Sequence, residues 1–129
     1  MRSGFSWRQR GRSFKHAVRG LGLLLRSQHN AWIHVGLTVL VLMAGWYVAL
    51  SPGEWCWIAS AIVAVWVAEG FNTAIEFLAD AVTEEAHPLV RNAKDVAAGA
   101  VLIAAMGAAA IGLLVFGPRL AKLLTGHFE

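Results

Sequence analysis

Residues 69–80 read EGFNTAIEFLAD, and they close a run, WCWIASAIVAVWVA at 55–68, that holds no charged residue. The apolar run asks to be a membrane span. The acids Glu69, Glu76 and Asp80, with Asn72 among them, resist that reading. An α-helix advances 100° per residue, so Glu69 and Glu76 fall about 20° apart and Asp80 about 20° to the other side of Glu69. Asn72 lies about 60° off on the same flank, and the two glutamates are about 10 Å apart along the axis. The four side chains form one stripe, with Glu69 inside the apolar zone and Asp80 near a surface. A charge at that depth costs at least ~2.5–3.5 kcal/mol on insertion scales, so the stripe must face protein or a wet cavity. Polar contact between helices needs no more than one Asn or Ser, so a stripe of this size points to function.

Composition frames that stretch. Of 129 residues, 57% are hydrophobic and 15% charged, whereas soluble domains carry about a quarter charged residues. The chain reads as one all-α membrane domain over residues 1–129. Three stretches reach the roughly 20 residues that a helix needs to cross the hydrocarbon core: 31–50, 55–82 and 96–116. They must be helices, because lipid offers no partner to backbone N–H and C=O groups. The first ends at the turn signal SPGE, and Gly117 and Pro118 stop the third. The single cysteine, Cys56, rules out a disulfide within the chain. The basic start has no short apolar stretch with a cleavage site, so no removable signal peptide is expected.

Residues 6–29 differ from the spans. Phe14, Ala17, Val18, Leu21, Leu24 and Leu25 recur at helical spacing, interrupted by Arg12, Lys15, Arg19 and Arg26. This is a basic amphipathic helix suited to the membrane interface. Seven of the eleven Lys and Arg residues precede the first span, and Arg91 and Lys94 lie in the loop at 83–95. The positive-inside rule puts both on the cytoplasmic side, against the mild dissent of Arg119 and Lys122. Trp46, Trp55 and Trp57 flank the outer loop as an aromatic belt.

The stretch HPLVRNAKDVAAGA at 87–100 brings Lys94 and Asp95 to the third span from the side that the stripe reaches. A lysine and carboxylates at a membrane entrance suit a phosphate ester with a divalent metal. Carboxylate and amide oxygens favour magnesium, which is often shared with substrate phosphates, and lysine neutralises phosphate as a point charge. A buried glutamate can serve as base towards a hydroxyl. No G-x-x-x-x-G-K-[ST] loop is present, and GLG at 20–22 is too short to use. On physics alone a small oligomeric channel or proton-relay subunit, with Glu69, Glu76 and Asp80 along a wet path, fits the acids equally well. Lys94 argues against a cation path.

A surface helix, three spans, E-G-F-N-T-A-I-E at 69–76 and N-A-K-D at 92–95 resemble the small bacterial integral-membrane lipid kinases. That family includes the prokaryotic diacylglycerol kinases and the undecaprenol kinases, and the resemblance covers about residues 12–116. It implies a homotrimer with active sites shared between neighbours, and transfer of the γ-phosphate of MgATP to a lipid hydroxyl, with no nucleic-acid partner. By motif position, Glu69 is similar to the catalytic base and Asn72 to the polar residue beside it. Glu76 matches the metal-binding glutamate, Lys94 and Asp95 the pair that contacts phosphate and supports the nucleotide, and Asp80 a structural acid.

One position departs from the family pattern. Where a second metal-binding glutamate is usual, this chain has Gln28, whose amide oxygen can ligate magnesium but brings no charge. Weaker magnesium binding is the expected consequence. Asn30, Ile33 and His34, as N-x-x-I-H, look more like the undecaprenol kinase branch. His16, His29, His34 and His87 show no metal-ligand spacing and are expected at the interface with their polar tips in water. The segment LAKLLTGHFE reads either as an outer amphipathic cap or as a frayed end.

Overall fold

In the computed structural model, which describes residues 6–83 and 85–126, four α-helices follow one another: α1 (Trp7–Ser27), α2 (His29–Tyr47), α3 (Pro52–Val82) and α4 (Pro88–Thr125). The described residues include no strand. The last three helices are long and apolar enough to cross a membrane, and α1 is the amphipathic helix that the sequence predicts. α3 packs chiefly along α4, while α1 touches α2 and α3.

Each boundary has a local cause. A single extended residue, Gln28 (φ −120°, ψ 120°), separates α1 from α2, so the chain turns sharply and the Gln28 side chain leaves α1 towards α3. SPGE is more than a turn. Ser51 and Glu54 form a capping box, in which Ser51 Oγ accepts from the Glu54 N–H at 3.3 Å and Glu54 accepts from the Ser51 N–H at 2.8 Å. Pro52 stands in the first turn, where its missing N–H costs nothing, so α3 starts three residues before the expected Trp55. α4 starts at Pro88 rather than 96, capped by His87 Nδ1, which accepts from the Leu89 N–H at 3.2 Å. Lys94 and Asp95 therefore stand on a helix, not in a loop. At the far end Pro118 does not stop α4, which runs on to Thr125. Proline removes one intrahelical bond, and Arg119 fastens the next turn to α3 and to the end of α2.

The buried apolar core lies at that far end, where Leu50, Ile58 and Val115 meet against Val41, Trp55 and Ile111. Here the α2–α3 turn is tight. Ala49 takes φ 52°, the left-handed region, while the Leu50 N–H returns to the Gly45 carbonyl at 3.1 Å. Gly45 sits so close to Trp55 that a Cβ there would meet the indole ring at 2.6 Å. Towards the other end α1 crosses α3, where Leu24 and Ala17 face Gly70, Thr73 and Ala74. The approach is not a tight one: a Cβ added at Gly70 would meet nothing within 4 Å.

Candidate active site

α3 carries the four polar residues of the stripe, and the fold gives each acid a partner from a different element. Glu69, 3% exposed, receives a ring nitrogen of His34 from α2, with Nε2 2.7 Å from Oε1. Glu76 is held twice: Gln28 Nε2, from the α1–α2 junction, donates to its Oε2, and Asn72 Nδ2, one turn back on α3, donates to its Oε1 at 3.2 Å. Asp80, exposed at the end of α3, pairs with Lys94 of α4, Nζ to Oδ1 3.3 Å. Asp95 is exposed on the next position of α4. The predicted stripe thus resolves into three stations along one helix, about 10 Å and then 6 Å apart by helical rise.

Two polar atoms at this end are buried without a hydrogen-bond partner, Asn72 Oδ1 and Thr73 Oγ1. Asn72 turns its Nδ2 to the Glu76 carboxylate and leaves Oδ1 unbonded, so half a turn of the Asn72 and Gln28 amides would set two further oxygens beside it. Magnesium prefers such hard oxygen donors, and the set fits it. Among the described residues no three His, Cys, Asp or Glu side chains gather as a metal cluster, so amides would have to share the work.

Two of the hollows along the stations bear on the site. One, of about 430 Å³, opens between Asp80, Thr83, His87, Arg91, Lys94 and Asp95, and presents charges of both signs at the membrane-surface end. The other, of about 310 Å³, is apolar, with His34, Thr38 and Trp66 at its polar edge and Ile58, Ala61 and Ala108 in its wall. Gln28, Asn72 and Glu76 come together as one cluster; Glu69 stands apart from it with His34, and Lys94 and Asp80 form a separate pair nearer the end of α3.

His34 is the residue that sequence reasoning missed. Its side chain is 17% exposed and turned into the helix pair, not to the interface with its tip in water. A lone acid and a lone imidazole, each within an apolar span, both demand partners, and that shared demand was the available signal. His16, His29 and His87 are exposed.

Comparison with known proteins agrees with the motif. The family model of prokaryotic diacylglycerol kinases matches residues 15–116. The chain is 42% identical over 109 residues to an undecaprenol kinase of Bacillus subtilis, covering 84% of this chain and 89% of that protein. It is 34% identical over 113 residues to a diacylglycerol kinase of Synechocystis, covering 87% of this chain and 65% of that longer protein. None of these matches favours a channel or a proton-relay subunit.

Proposed function

Since the chain belongs to the prokaryotic diacylglycerol kinase family and is a lipid kinase, we propose that it transfers the γ-phosphate of MgATP to the hydroxyl of a membrane lipid. Undecaprenol is the first acceptor to test and diacylglycerol the second, giving undecaprenyl phosphate or phosphatidic acid. The higher identity and fuller coverage of the undecaprenol kinase support that order, as does the N-x-x-I-H pattern at 30–34.

The observation that carries the reading is the placement of a buried carboxylate, Glu69, above an oxygen-rich cluster at Glu76 and a lysine at the mouth. In this account nucleotide phosphates enter the hollow beside Lys94 and Asp95. Lys94 exchanges part of its contact with exposed Asp80 for phosphate oxygens. Glu76 and, with their amides turned, Asn72 and Gln28 would hold magnesium, which when bound would neutralise charge on the transferring phosphate. The lipid hydroxyl approaches laterally from the bilayer, and Glu69 takes its proton as the oxygen attacks phosphorus. Positioning and charge neutralisation supply most of the rate, as is general for phosphoryl transfer.

The same reading includes a homotrimer in the cytoplasmic membrane, with the N-terminus and the site on the cytoplasmic face. The cationic α1 at the Asp80–Lys94 end supports the sidedness. The bare apolar window of α4, 0% buried within one chain, leaves a long face for neighbouring helices or lipid.

The test is incubation of purified protein with labelled MgATP in separate micelles of the two lipids. Label in either lipid, lost in Glu69→Ala, is the expected result. No label in both would refute the reading.

A further inference from the structure

Resting on the kinase reading, the geometry points to His34 as a positioning residue for Glu69: its Nε2–H holds one carboxylate oxygen and leaves the other free to take the lipid proton. Among the described residues Glu69 has one hydrogen-bond partner, and it is this ring, at 2.7 Å. An ionised carboxylate only accepts, so the hydrogen between them belongs to the imidazole.

The ring is itself held in place. Trp66 meets it edge-on, with centroids 6.2 Å apart and planes at 66°. Trp66 Nε1 donates to Thr38 Oγ1 at 3.1 Å. Thr38 lies one turn beyond His34 on α2, and Trp66 one turn before Glu69 on α3, so the four residues close a loop between two helices. Groups arranged in this way lock the rotamers of a reacting side chain, which is what a catalytic base requires.

Burial gives the second reason. His34 and Trp66 separate Glu69 from the apolar hollow of about 310 Å³. Removing the ring would leave a carboxylate, 3% exposed, against hydrocarbon with no donor, and a buried charge without a partner rearranges or is neutralised. In the transfer step the lipid O–H bond breaks as its oxygen bonds to the γ-phosphorus. ADP departs with the electron pair of the broken P–O bond, and the proton goes to Oε2 of Glu69. His34 keeps its own proton throughout.

Steady-state kinetics in lipid micelles at saturating acceptor test this with His34→Phe, His34→Gln, Glu69→Gln and the double variant His34→Phe/Glu69→Gln. Phenylalanine fills the space but cannot donate, and is expected to lower kcat about 10–100-fold while KM for MgATP stays put. Glutamine, which offers an amide N–H, restores part of the loss. On the Glu69→Gln background His34→Phe adds nothing, because the two residues act as a unit. A wild-type kcat in His34→Phe, a glutamine variant no better than phenylalanine, or losses that multiply in the double variant would each overturn the assignment. If His34→Phe fails to fold, His34→Gln decides: kcat within about tenfold of wild type supports the role, and inactivity equal to Glu69→Gln overturns it. An inactive wild type refutes the kinase reading instead.

Discussion

The two ends of α3 carry glutamates with opposite circumstances. At its start Glu54 accepts from Arg119 through Nη2 at 2.5 Å and Nε at 3.3 Å, and from the Ser51 N–H. Arg119 spends a further donor on the Val48 carbonyl at 2.8 Å, so the pair joins the turn between two helices to the end of a third. Towards its other end Glu69 has one donor, Glu76 has two amides, and Asn72 Oδ1 is left over. Glu54, with three donors on its carboxylate, holds the fold together. Carboxylates with lone pairs in reserve can bind a cation or take a proton. The difference lies in unspent bonding capacity, not in residue type.

This contrast can be broken, beginning where the effect is largest. Lys94→Met should cost about 100–1,000-fold in kcat, the scale for removing one group that stabilises transition-state charge, with the unfolding midpoint in micelles nearly unchanged. Its pairing with exposed Asp80 is too solvated for stability to depend on it. Gly45→Ala, at the other end, should do the reverse. Its new methyl meets Trp55 at 2.6 Å, and overpacking of this kind costs about 1–3 kcal/mol, read as a lower midpoint with kcat of the folded fraction intact.

A smaller effect sharpens the account of the metal. Gln28→Glu should lower the magnesium concentration at half-maximal rate several-fold, and an unchanged requirement would remove Gln28 from the cation site. Smallest of all is Ala49→Gly. The left-handed conformation at φ 52° costs a residue with a Cβ about 1–2 kcal/mol, and glycine gives back roughly half of that relief as chain entropy. The midpoint should rise slightly and activity stay constant.

Much of this was legible in the sequence. Hydropathy places three spans, and the 100° arithmetic places Glu69, Glu76 and Asp80 on one face, because both depend on local periodicity. Element ends were legible only in part. SPGE contains its own capping box, yet proline and glycine read first as a turn, and NAKD reads as a loop although His87 and Pro88 open a helix before it. What could not be read is pairing between distant residues. His34 and Glu69 are 35 positions apart and Glu54 and Arg119 are 65, and no periodicity reports which helix supplies a partner.

The most direct measurement sets Glu69→Gln beside Glu54→Gln, the same isosteric change at both ends of one helix. Label transfer from MgATP to lipid and the unfolding midpoint are measured for each in the same micelles. The account predicts that Glu69→Gln loses about 100-fold or more in rate, the scale of a general base, with its midpoint kept. Glu54→Gln should lose midpoint and keep the rate of its folded fraction. Equal loss of rate in the two variants, or an active Glu69→Gln, would contradict it.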